Sequence, residues 1–232
     1  MELVIISIGA LSKNPLWHER SPVRVSHATT TLIRTTAVDD PATPMVLLVD
    51  PSLPSQILAA RLDERTGLKP EAITHVFLTN WRPVHRRALE LFGDATWWMS
   101  QLEIDAASEV LNAAEQASDR AGEDVDPVVQ QERALLAKIQ AAPDHLAEGV
   151  DLYPLPGYTA GQSGLIVSEP TRTTIITGDA IPTAGHFFAG QVFPDCYDLE
   201  KAKESLVEMF EIADVIVPGH DNLFFAPRAG GA

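Results

Sequence analysis

Four times along this chain a short strand-like run stops at a loop that carries a histidine, an aspartate or a tyrosine beside glycine or proline. His75-Val76-Phe77-Leu78 runs into Thr79-Asn80-Trp81-Arg82-Pro83-Val84-His85, and Val150–Leu155 into Pro156-Gly157-Tyr158-Thr159-Ala160-Gly161. Thr173–Thr177 runs into Gly178-Asp179-Ala180, and Val215–Val217 into Pro218-Gly219-His220. Runs of this length, rich in valine and isoleucine and closed by turn residues, read as buried strands. A fold built on them needs sheets with both faces covered.

The remaining segments fit that frame. Leu3–Ile8, Thr29–Arg34 and Met45–Asp50 read as strands, the last two joined through Asp39-Asp40-Pro41-Ala42-Thr43-Pro44 as a hairpin. Ser55–Gly67 reads as a helix with glycine as its stop signal, and Arg86–Phe92 as a second helix ending at Gly93. Thr96–Met99 and Gly164–Val167 are further short strands. From Gln101 to about Gln140, Ala, Glu, Gln and Leu dominate, which predicts two amphipathic helices joined by an acidic turn. Leu199–Ile212 is a last helix. Strand-rich halves on either side of central helices predict a two-sheet sandwich covered by helices.

At 232 residues and 25.2 kDa the chain suits one domain, with residues 101–143 as a helical insertion that lacks a core of its own. The formal charge of -15 repels phosphate backbones and anionic membranes, so nucleic acid is not an expected partner. The longest apolar stretches are strand-length, short of the roughly 20 residues of a membrane span. The N-terminus has no basic flank and reads as a first strand rather than a signal peptide. A single cysteine, Cys196, excludes an internal disulfide and agrees with a cytoplasmic protein.

In order and spacing the four loops resemble those of the metallo-β-lactamase superfamily, whose pattern is Thr-His-x-His-x-Asp-His, Pro-Gly-His-Thr-x-Gly, Gly-Asp and Pro-Gly-His. The resemblance implies an α/β (α+β) fold, an αββα four-layer sandwich of two mixed sheets with the loops converging at one edge. It also implies a centre of two zinc ions that acidifies a water for attack on a carbonyl or phosphoryl group. At the ligand positions this chain has Asn80, Arg82, Val84 and His85, then Tyr158, Asp179 and His220. The first metal would keep only Asp179, whereas the second keeps His85, Asp179 and His220. The 12 residues after His220 are too few for the helical substrate domain of glyoxalase II-type thioesterases. The 101–143 segment is too short and acidic for the nuclease domain of RNA-processing members.

Two readings follow from the resemblance. In one, the active site is degenerate, a pseudoenzyme's, and the cleft is kept for binding a small molecule or partner. In the other, one divalent ion, zinc by donor type, sits on His85, Asp179 and His220 and supports hydrolysis of an ester or lactone. Arginine cannot yield its charge, so Arg82 is expected to replace the lost cation by pairing with Asp179, which favours the first reading. Arg82, Tyr158, Asn80 and His186 are the candidate ligand contacts. The alanine-rich helical segment also allows a homodimer.

Overall fold

Met45–Val49 is apolar at successive positions because both faces of its strand are covered. Leu47 and Val49 point between two sheets, while Leu48 points outward beneath helices. The computed structural model describes residues 1–227, so the last five of the expected 1–232 domain lie outside it. The first sheet contains β1 (Glu2–Ser7), β2 (Thr30–Thr36), β3 (Pro44–Val49), β4 (His75–Phe77), β5 (Thr96–Met99) and β6 (Gln140–Ala141), in that order. The β1, β2 and β3 pairings are antiparallel, and those from β3 to β6 are parallel.

The second sheet holds β7 (His145–Ala147), β8 (Val150–Pro154), β9 (Ser163–Glu169), β10 (Arg172–Gly178), β11 (Val215–Pro218) and β12 (Phe224–Phe225). Its spatial order is β12-β11-β10-β9-β8-β7, with β10 and β11 parallel. Ile33, Leu47, Val49 and Phe77 of the first sheet meet Val150, Leu165, Ile176 and Val217 of the second in the central core.

Helices close both outer faces. α1 (Ser55–Thr66) crosses from β3 to the parallel β4, burying Leu58 and Leu62. α2 (Gln101–Ala121) and α3 (Pro127–Leu136) lie between β5 and β6 and bury Ala107, Leu111, Leu135 and Leu136 on the same side. α4 (Ala184–Ala189) and α5 (Leu199–Ile212) cover the second sheet through Phe187, Leu206 and Met209. The result is the expected αββα sandwich of two mixed sheets. Among the described residues no helix is long and apolar enough to cross a membrane.

The predicted helix over Arg86–Phe92 does not form. Pro83–His85 and Leu89–Phe92 are separate 3-10 turns, and the amide of Ala88 donates to the carbonyl of Pro51 at 2.9 Å. Leu89 N and Leu91 N close i→i+3 turns on Arg86 O and Ala88 O, both at 3.0 Å, and so short a segment cannot offset the nucleation cost of an α-helix. The consequence is local: His85 is held by a turn stapled to the neighbouring strand end.

Candidate metal centre and cleft

β3, β4, β10 and β11 all end at the same edge of the sandwich, and the residue types that stop them meet there. Asp50 follows β3 with φ 50, a left-handed conformation that aims its carboxylate across to the next strand end. There it accepts hydrogen bonds from Thr79 N at 2.9 Å and Thr79 Oγ1 at 2.7 Å. Its Oδ2 also lies 2.9 Å from His85 Nδ1. A carboxylate only accepts, so Nδ1 donates to Asp50 and Nε2 donates to Asp179 Oδ2 at 2.8 Å.

Asp179 reaches that point because β10 ends on Gly178 at φ 52, where a Cβ would fall 2.5 Å from Thr79 Oγ1. Glycine is therefore required both for the backbone and for the close approach of the two loops. His220 arrives from β11. Its Nδ1 donates to the carbonyl of His27 at 2.9 Å, which turns Nε2 toward Asp179 Oδ1, also 2.9 Å away. That approach lies off the line of a hydrogen bond, so Oδ1 is a buried acceptor without an aligned donor.

Charge in this cluster is set by the carboxylates. Burial opposes a charge on His85, but Asp179 and Asp50 together outweigh it and push the imidazole up to about 10. Burial likewise opposes the charge on Asp179, and the flanking His85 and His220 hold it well below the usual carboxylate range. Asp179 is thus matched by histidines.

The expected Arg82–Asp179 pair is absent. Arg82 is exposed and its guanidinium lies over the ring of Tyr158, 4.4 Å from the centroid. Sequence reasoning placed the only nearby cation on arginine because it could not see a second carboxylate raising His85. Asn80 is buried; its Oδ1 accepts from Arg82 N at 3.0 Å, so its amide N–H group faces Asp179 Oδ2 at 3.4 Å. His186 is buried against Thr183 Oγ1, at 2.8 Å, and edge-on to Phe193; burial and then His220 lower its pKa. It borders the cluster without joining it. Burial, reinforced by Asp179, raises the Tyr158 phenol above its ordinary 10.

Two contributors were not anticipated. Asp50 showed in the sequence only as the end of a strand before Pro51. Glu103, at the start of α2, is buried and accepts from Trp81 N at 2.9 Å, Thr159 Oγ1 at 2.7 Å and Gly161 N at 3.1 Å. It clasps two of the four loops together. A Ser-x-x-Glu capping spacing at Ser100 was the available signal, and the Ser100 side chain does accept from Glu103 N at 3.2 Å.

Comparison with known proteins agrees with this arrangement. The family model described as the metallo-beta-lactamase superfamily matches residues 45–220. The chain belongs to the metallo-beta-lactamase superfamily. Among solved structures it resembles AidC, a dizinc quorum-quenching lactonase, at 17% identity and TM-score 0.63, covering 88% of this chain and 78% of that one. A candidate metallo-beta-lactamase from Thermotoga maritima is similar at 17% identity and TM-score 0.65, over 97% and 98% of the two chains. A variant of B. thuringiensis AiiA with N-decanoyl-L-homoserine at its active site matches at 17% identity and TM-score 0.62, over 94% and 92%. At these identities the likeness speaks for the fold. No curated protein matches the chain in sequence.

Metals in this superfamily need convergent, oriented donors, and one such set exists here. One ligand atom each from His85, Asp179 and His220 lies within 4.8 Å of the others, all three residues being buried. The Asp50–His85 and His27 carbonyl–His220 bonds are the outer partners that fix imidazoles for coordination. Asp179 Oδ1 has no aligned donor among the described residues, with His220 Nε2 2.9 Å away. These three residues fit a single divalent ion. At two of the remaining pattern positions, Asn80 turns N–H toward Asp179 and Arg82 stacks on Tyr158.

Proposed function

We propose that this superfamily member has a degenerate centre, holding at most one ion, and uses its cleft to bind a small molecule. The observation that carries the reading is the Arg82–Tyr158 stack. Two positions that would furnish first-metal histidines contact one another instead and face the cleft. A guanidinium has no lone pair to give a metal at any physiological pH, and it repels a cation placed beside it. On this reading residues 1–232 are one domain, with 101–143 inserted into it.

A second reading has its own support. Because Arg82 is not on Asp179, the charge objection to an ion on His85, Asp179 and His220 is weaker than the sequence implied. Such an ion would supply an acidified water, and the chain would then hydrolyse an ester or lactone. Metal content separates the readings. Protein purified without chelator is analysed by mass spectrometry beside Asp179→Ala, and both are assayed on lactone and ester substrates. The first reading expects at most one equivalent of zinc and no hydrolysis. Two equivalents, or turnover abolished in Asp179→Ala, would overturn it.

A further inference from the structure

The Arg82–Tyr158 stack lines a groove of about 780 Å³ that is bordered by the ligand loop and α2. Trp81, Ala106, Val110 and Tyr197 line its length, so most of the wall is apolar or aromatic. The volume is within the range of small-molecule sites. Arg86, also on the wall, is already spent: it pairs with Glu132, donates to Trp81 O at 2.7 Å and stacks on the Trp81 ring. Arg82 is different. Among the described residues no carboxylate lies within ion-pair reach of its guanidinium, and its one side-chain contact is the Tyr158 face. Stacking occupies the plane of a guanidinium and leaves its N–H edge available for a planar anion.

We propose that this groove binds a small amphipathic carboxylate, its apolar chain along α2 and its carboxylate on the edge of Arg82. The inference rests on the cleft-binding reading above and names the ligand class. Charge sets the orientation. Glu103, Glu109 and Glu132 border the groove on the side of α2 and α3 and disfavour an anion there, so the head group belongs on Arg82, the one lining cation without a carboxylate partner among the described residues, although Asp195 lies near enough to act on Tyr158. Specificity follows from the same geometry: a neutral compound of equal shape gains the apolar wall but forfeits the charge-assisted pair.

The test is calorimetric titration of the full chain with octanoate and with octanamide, which match in shape and differ in charge. It is run on protein as purified and again with EDTA. Octanoate is expected to bind at least about tenfold more tightly than octanamide in both conditions. Arg82→Gln should bring octanoate down to the octanamide level, with an unchanged melting temperature because Arg82 is exposed. Ala106→Trp, which fills the groove from α2, should abolish both titrations. Equal binding of the two compounds, no binding of either, or a preference that survives Arg82→Gln would overturn the proposal. A preference that disappears with EDTA would place the carboxylate on a metal, and would also overturn it while leaving the one-ion reading standing.

Discussion

Replacing Asp50 by asparagine should weaken the fold in a pH-dependent way, and the structure sets both the size and the window. The Asp50 carboxylate accepts from Thr79 N, Thr79 Oγ1 and His85 Nδ1. In the amide, one oxygen still serves Thr79 N, and the Thr79 hydroxyl can rotate to accept from the new NH₂ group. His85 Nδ1–H then faces a donor and loses a charge-assisted bond, a cost of about 2–3 kcal/mol. Linkage agrees in direction: burial opposes the charge on His85, Asp179 and Asp50 raise its pKa from 6.5 to about 10, and removing one of the two carboxylates withdraws part of that support. The sign follows from the raised pKa: the His85 contribution is complete below 6.5 and is lost as pH rises through about 10. Above that range neutral His85 can switch tautomer and accept from the asparagine amide, so the penalty shrinks further. Urea unfolding of wild type and Asp50→Asn with EDTA present, from pH 6 to pH 10.5, should show a gap of about 2–3 kcal/mol that narrows toward the alkaline end. A gap that stays constant across the series would refute the argument, because His85 would then not be the linked group. His85→Gln should lack the alkaline arm altogether.

Glu103→Gln keeps the shape of the clasp but loses its charge, and should lower stability by about 1–3 kcal/mol. Faster amide exchange confined to residues 81 and 159–161 would check it, since those amides and hydroxyls are what Glu103 holds. Gly219→Ala would set a Cβ 2.8 Å from Asp179 Oδ1 and from the backbone of Gly178. Overpacking of that kind costs about 1–3 kcal/mol, and here it should also reduce zinc uptake, measured by titration with a colorimetric indicator.

The sandwich was legible because its strands are buried on both faces, so continuous apolar runs such as Met45–Val49 and Val215–Val217 stand out without any alternation. The loops after them were legible for a related reason. Each combines a special backbone turn with a polar side chain, and although Gly178-Asp179 or Pro218-Gly219-His220 alone would mean little, four such loops in order carry the signal. Two things were hidden. Arg86–Phe92 reads as a helix, but the segment closes only i→i+3 turns while its Ala88 amide is held by Pro51, a contact made across the fold and not along the chain. Asp50 is hidden likewise. Its partnership with Thr79 exists because β3 and β4 pair in parallel with Val49 beside Phe77, and nothing in the dipeptide Asp50-Pro51 declares that register.

That hidden residue is what changes the reading of Arg82. Counting charges along the sequence leaves Asp179 with arginine as its natural partner, because a lone histidine is neutral near pH 7. Once Asp50 is placed behind His85, two carboxylates share one imidazole, and the cation that Asp179 needs is already inside the cluster. Arg82 is then released from the electrostatics of the buried residues. Solvation favours leaving its charge at the surface, and the Tyr158 ring offers it a face there. The replaced positions accordingly divide by polarity: Asn80, neutral and able to donate, turns inward to Asp179, whereas Arg82 and Tyr158 turn outward to the groove. On the reading proposed above, arginine at a loop position where the family pattern has histidine puts a functional group on the ligand side of the cleft and not the metal side.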